Sequence, residues 1–280
     1  MGLWDNLGQR EAAYKALTRL KDEEFITTTG QRGWYRRVKG DVEKIDYMSV
    51  DPESYLKIKW PFRFHQLIKM FPKSLAIIAG TTNAGKSSFL MEFCRLNMYR
   101  KNLKIRYISS ETDKYELREK YDYYASDRGE LYVPLEDWGN YLDIIYRTEN
   151  FIDVIKPNWI NIIDHYKAEG EFYEIGKDLQ AIHKKLKNGI AILALQKNPN
   201  TQVGYGGHQT EHLARFVLHI DPGKITIKKA KNIMPGINRG ADGTVIKFKL
   251  ASGYKWLPQD IDKLFWYWNY DDEEGNTLAF

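Results

Sequence analysis

Residues Gly80 to Ser87 read Gly-Thr-Thr-Asn-Ala-Gly-Lys-Ser, and this octapeptide constrains the fold more than any other stretch of the chain. It matches the pattern G-x-x-x-x-G-K-[ST] in full. In that pattern glycines let backbone N–H groups approach phosphates, the lysine reaches the terminal phosphates and the hydroxyl ligates magnesium. The chemistry requires a strand, then the loop, then a helix, and both flanks comply. Ser74-Leu-Ala-Ile-Ile-Ala79 is a short apolar run of buried-strand type, and Phe89, Leu90, Phe93, Cys94 and Met98 carry helix-like spacing downstream. The loop therefore predicts that Gly80, Thr81, Thr82, Asn83, Ala84, Gly85, Lys86, Ser87 and Ser88 surround the phosphates of a nucleoside triphosphate, with Ser87 on the metal.

At 280 residues and 43% hydrophobic content, the chain can bury one large core, or one core with a small appendage. No apolar stretch approaches the roughly 20 residues that span a bilayer. The opening Met-Gly-Leu-Trp-Asp lacks the basic and apolar regions of a secretory signal, so a cytoplasmic protein without a membrane partner is expected. Cys94 is the chain's single cysteine, which excludes an internal disulfide, and its place on the apolar face of a helix reads as small core residue. The net charge of +5 is unevenly spread. Residues 257–280 hold six acids against Lys263, a balance of −5 that leaves the remainder at +10. A basic body favours a polyanionic partner.

Along the chain, Ala13, Ala16, Leu17 and Leu20 follow amphipathic-helix spacing between Gln9 and Asp22. Phe25-Ile-Thr-Thr-Thr then leads through Gly30-Gln-Arg-Gly33 into Trp34-Tyr-Arg-Arg-Val38, a hairpin with a glycine-bearing turn. Residues 1–40 form this helix and hairpin, and residues 41–54, polar and mixed in charge, read as a linker. From 55 to 256 the pattern is α/β: apolar strand candidates recur at Leu75–Ala79, Ile105–Ser109, Trp159–Ile163, Ile190–Leu195 and Phe216–Ile220, with helix-compatible segments between the first four. Lys224–Lys231 and Thr244–Leu250 alternate as antiparallel strands do. The implied sheet is parallel at the centre and antiparallel at one edge. Residues 257–280 form an aromatic and acidic tail around Phe265-Trp-Tyr-Trp-Asn-Tyr270.

Hydrolysis needs a magnesium carboxylate and a group that activates water. Trp159-Ile-Asn-Ile-Ile-Asp164 is an apolar strand ending in an acid, which makes Asp164 the candidate for the magnesium shell. Ile105-Arg-Tyr-Ile-Ser-Ser-Glu111 follows the helix after the loop and also ends in an acid. Ala191-Ile-Leu-Ala-Leu-Gln196 closes another buried strand with an amide. His208 and His212 stand four apart, but nothing beyond Glu211 completes a metal-ligand set, and they read as loop and helix-start residues.

These motifs, in this order, resemble the RecA-like ATPase domain of DnaB-type replicative helicases, across roughly 200 residues from Tyr55 to Trp256. The resemblance implies a RecA-like α/β core that hydrolyses ATP with Mg2+. It makes Glu111 the general base, Gln196 the sensor of the terminal phosphate, and the loop after it, with Lys197, Asn198, Thr201 and Gln202, the surface facing single-stranded DNA. Ile225-Thr-Ile-Lys-Lys-Ala-Lys-Asn232 is similar to the family's edge strand whose Lys-x-Arg reaches a neighbouring subunit's nucleotide. Lys229 and Lys231 take those positions, with Lys in place of the second residue's Arg, which keeps the charge and loses the planar fork. The helix and hairpin at 1–40 resemble the last part of a winged-helix domain, and read either as a DNA contact or as a cap on the main domain. That segment joined to such a core is similar to helicase-like ATPases of phage and mobile elements. The function implied is a helicase motor in DNA replication, working as a head-to-tail oligomer, a hexameric ring. Two alternatives fit the same motifs: a recombination filament, and a nucleotide-dependent regulator that never translocates.

Overall fold

The computed structural model describes residues 7–40, 44–166, 172–197, 207–235 and 241–259. The chain divides into two compact units, Met1–Asp51 and Pro52–Phe280. In the first, helix α1 (Leu7–Asp22) precedes strands β1 (Ile26–Thr28) and β2 (Tyr35–Arg37), which pair antiparallel with Thr28 opposite Tyr35. Along α1 Ala13, Leu17 and Leu20 are half-buried, whereas Ala16, expected on the same face, is exposed. None of the unit's residues with described surroundings is buried. Local hydrogen bonds of one helix and one hairpin are marginal in water without such a core.

The second unit begins inside the stretch expected to be linker. After a 3₁₀ segment (Pro61–Gln66) come β3 (Leu75–Gly80), α2 (Lys86–Asn97), β4 (Ile105–Ser109), α3 (Lys114–Ser126), α4 (Leu135–Tyr141) and β5 (Leu142–Tyr146). There follow α5 (Phe151–Val154), β6 (Ile160–Tyr166), α6 (Phe172–Lys185), β7 (Ile190–Gln196), α7 (Gly207–Leu213), β8 (Phe216–Asp221), β9 (Lys224–Ala230), β10 (Val245–Ala251) and β11 (Lys255–Pro258). The strands make one sheet in the order β11-β10-β9-β8-β3-β7-β6-β4-β5. From β8 to β5 every pairing is parallel; from β8 to β11 every pairing is antiparallel.

Strand β3 shows why the sheet sits in the middle of the unit. All its residues are buried, and they alternate between two cores: Ala76 and Ile78 pack with Phe89, Phe93 and Trp60, while Leu75, Ile77 and Ala79 pack with Leu179, Ile182 and Leu186. A parallel strand buried on both faces reads as a continuous apolar run, which is how Ser74–Ala79 appears in the sequence. Among the described residues no helix is long and apolar enough to cross a membrane.

Three expectations need correction. The strand β9 is not at the edge: β10 and β11 lie outside it. Strand β11 runs through Leu257 and Pro258, so the tail expected from 257 begins within a strand; residues 260–280 lie outside the described residues. Strand β5, at the other edge, has no counterpart among the expected strands. It starts directly after Tyr141, the last residue of α4, and it is tied to β4 by the Arg106–Asp143 ion pair at 2.5 Å.

Candidate active site

The order of the sheet decides what meets at the carboxyl ends of the parallel strands. Strand β3 lies between β7 and β8, and β6 and β4 follow on the far side of β7, so the ends of β3, β7, β6 and β4 stand side by side. In register, Gly80 faces Gln196 and Ile220, and Ser109 faces Asp164. Open α/β sheets bind ligands along this end.

The loop from Gly80 to Gly85 turns with Asn83 and Gly85 both left-handed, at φ 58° and 98°. Two positions need glycine for space as well. A Cβ on Gly80 would lie 2.4 Å from the Ile220 carbonyl oxygen, and one on Gly85 would lie 3.0 Å from the Trp256 ring. The Lys86 ammonium turns into the loop, donating to the carbonyls of Gly80 at 3.1 Å and Thr81 at 2.8 Å. Burial pulls its pKa below the ordinary lysine value, against the opposing fields of Asp164 and Glu111. A lysine so placed is relieved by the arrival of negative charge.

Ser87 Oγ donates to Asp164 Oδ1 at 3.0 Å, across 77 residues of sequence. A hydroxyl and a buried carboxylate side by side are the hard oxygen donors that suit magnesium, so the chain fits the metal that the loop implies. Asp164 does not end its strand, as the sequence led one to expect: β6 continues to Tyr166, and its register with β7 breaks between Ile163 and Tyr166, with His165 left-handed at φ 66°. Such a bulge re-aims a side chain without ending the strand. Two residues unmarked by the motifs hold the acid in place. Tyr107 donates its hydroxyl to Asp164 Oδ2, and burial, then the carboxylate, push its pKa well up, so it remains a donor. Ser110 Oγ donates to the backbone carbonyls of Asp164 and His165. A tyrosine inside an apolar strand gives no pattern to read; only the neighbouring strand β6, whose Asp164 lies 57 residues on in sequence, reveals it.

Glu111 lies two residues beyond the end of β4, half-exposed, with a carboxylate oxygen close against His165 Nδ1. It is close enough to Lys86 to act on its pKa. Gln196 closes β7 and donates from Nε2 to Thr82 Oγ1 at 3.3 Å, which sets the amide against the loop. Ser88 hydrogen-bonds through Oγ to the Gly253 carbonyl, so the turn between β10 and β11 rests on the start of α2. With Trp256 against Gly85, this hairpin backs the loop, a contact the local sequence does not announce.

The residues assigned to nucleic acid and to a neighbouring subunit stand differently. Lys197 is buried and its ammonium pairs with Asp221 at 2.7 Å, joining the ends of β7 and β8; this corrects its expected place on a DNA-facing surface, because an ammonium sequestered in an ion pair is not presented to a strand. Asn198, Thr201 and Gln202 lie outside the described residues. Lys229 donates to the carbonyls of Glu211 at 2.6 Å and His212 at 3.0 Å, capping the end of α7. Lys231 is exposed. Lys229 stands opposite Val217, which itself faces Ile77 near the start of β3, so both lysines sit at the amino ends of the parallel strands, away from this chain's own loop.

No protein-family model and no curated protein matches the chain. Among solved structures it is similar to the crystal structure of a KaiC-like protein from the hyperthermophilic archaeon Pyrococcus horikoshii. The two share 15% sequence identity with a TM-score of 0.52, over 73% of this chain and 98% of that one. The fold is RecA-like. At that identity the likeness is one of architecture, and it matches the sheet found here, mostly parallel and extended by antiparallel strands.

Proposed function

We propose that the RecA-like unit is a magnesium-dependent ATPase and that it drives a DnaB-like helicase on single-stranded DNA as a head-to-tail ring. The observation that carries the ATPase reading is the 3.0 Å contact between the loop's Ser87 and Asp164, two residues that have no local reason to meet. Lys86 would hold the β- and γ-phosphates, Ser87 and Asp164 the magnesium, and Tyr107 would keep Asp164 oriented. The bound metal supplies charge neutralisation on the phosphates. Glu111, half-exposed beside the loop, would take the proton of an attacking water, and His165 against it would fix its direction. Gln196 bonded to Thr82 would couple the loop to whatever follows β7. Lys229 and Lys231, remote from their own loop, would serve another subunit's nucleotide in the head-to-tail reading.

A second reading, a nucleotide-dependent switch that does not translocate, is favoured by the engagement of Lys197 and Lys229 in internal contacts. ATP turnover with and without single-stranded oligonucleotide, alongside mass photometry, separates the two. Stimulation by DNA together with a ring-sized species is the helicase outcome. Turnover indifferent to DNA overturns the helicase and leaves the switch.

A further inference from the structure

At the amino ends of β3 and β8 the second unit holds a cavity of about 220 Å³ that the catalytic reading does not use. Its polar lining comes from Lys73, Ser74, His183, Arg215 and Asn232, brought together from four separate stretches of sequence. Arg215 is anchored there by its backbone, which donates to the Leu75 carbonyl at 2.8 Å, and Lys73 by its N–H on the Gly189 carbonyl at 2.8 Å.

Three features set this cavity apart. No acid is among its described lining residues, and among the described residues neither Lys73, His183 nor Arg215 has an ion pair or a side-chain hydrogen bond. Elsewhere some exposed cations do find an acid, as Arg118 does with Asp122 and Arg19 with Glu23. The positive field is felt locally: burial, then Lys73 and Arg215, lower the pKa of His183, and burial, then Lys231 and Arg215, lower that of Lys229. Lys73 is also held in a strained backbone. It has φ 64° in the turn Phe71-Pro72-Lys73-Ser74, closed by the Ser74 N–H on the Phe71 carbonyl. A proline followed by a left-handed residue is the type II turn pattern, in which the third position normally goes to glycine. A lysine kept there against its backbone preference, lining a cavity with two other bases, is the kind of local strain that accompanies a binding role.

We propose that this cavity binds a phosphate-class anion, either inorganic phosphate or the phosphoryl group of a small phosphate ester, at a site separate from the phosphate loop. Lys73 and Arg215 supply the charge, with the guanidinium's fork suited to two phosphate oxygens. The Ser74 hydroxyl and the Asn232 amide, which have no side-chain partner among the described residues, supply neutral donors. Size narrows the ligand. Drug-sized ligands take cavities from about 300 Å³, so this half-open cavity seats a phosphoryl group and a few waters, with the rest of an ester left in solvent.

The test is equilibrium dialysis of radiolabelled inorganic phosphate against the full chain, with and without a saturating, non-hydrolysable Mg–ATP analogue that fills the loop. One phosphate per chain is expected to remain bound when the analogue is present. Lys73→Gly and Arg215→Gln should each weaken that phosphate by about tenfold while leaving analogue affinity unchanged. Lys73→Gly relieves the turn, so its loss of binding cannot be ascribed to misfolding. Competition with glycerol phosphate distinguishes the sources: displacement assigns the site to a phosphate ester, and resistance assigns it to the free anion. If filling the loop abolishes all phosphate binding, or if both variants bind as the parent does, the proposal is overturned.

Discussion

The two ends of the parallel strands follow opposite electrostatic plans. At the carboxyl ends Lys86 lies in the fields of Asp164 and Glu111 and donates hydrogen bonds to two loop carbonyls. At the amino ends Lys73, His183 and Arg215 face one cavity with no acid in its described lining. The backbone differs in the same sense. Left-handed Gly85 occupies a place where a side chain would meet Trp256, whereas left-handed Lys73 stands where a glycine would fit more easily. A compensated site keeps its geometry without its ligand, because its charges already have partners. An uncompensated one is completed only when counter-charge arrives, so its residues are maintained at a small expense in stability.

The largest expected effect tests whether the compensated end performs chemistry. Glu111→Gln should retain ATP and lose about 10²- to 10⁴-fold in turnover, while Lys86→Ala should weaken both binding and turnover. Nucleotide affinity and steady-state hydrolysis measured on the same preparations check this, and near-normal turnover in the glutamine variant would move the base elsewhere. Next comes the ion pair beside the loop. Asp221→Asn should cost about 2 kcal/mol in urea unfolding, less than a fully buried pair because Asp221 keeps some solvent contact, and Lys197→Met combined with Asp221→Leu should recover most of it. An unchanged unfolding midpoint in Asp221→Asn would free Lys197 for an external role.

A smaller effect is expected at Tyr107. Its replacement by Phe removes only the hydroxyl on Asp164, so magnesium affinity in the presence of nucleotide should fall about tenfold with the unfolding midpoint little changed. Equal magnesium titrations for parent and variant would remove Tyr107 from the site. The smallest effect belongs to the uncompensated end: Lys73→Gly should raise stability by about 0.5–1 kcal/mol, since the left-handed turn then carries no side-chain penalty. A loss of stability there would mean that the lysine makes contacts worth more than its strain, and the contrast between the two ends would weaken.

Much of the carboxyl-end site is legible without coordinates. Lys86 and Ser87 come from a contiguous motif, and Asp164, Glu111 and Gln196 from a simple rule, the polar residue that follows an apolar strand. The rule is imprecise by a residue or two, as the strand continuing past Asp164 and the one stopping short of Glu111 both show. Lys197 marks where it fails. A lysine after a buried strand looks solvated in sequence, and the acid that sequesters it lies 24 residues on, at the end of a strand whose neighbour is set by sheet order.

What the sequence determined by itself is therefore everything governed by local rules: the glycines of the loop, the apolar runs of the parallel strands, and the alternation of β9 and β10. Glycine tolerance and burial period act within a few residues, and they can be read there. Only the tertiary structure decided the rest. The bulge that turns Asp164, the tyrosine that holds it, the hairpin that backs Gly85 and the three bases gathered in the amino-end cavity all depend on which strand lies beside which. That order is chosen by the packing of two cores on one sheet, a sum over many weak apolar contacts that no single segment contains.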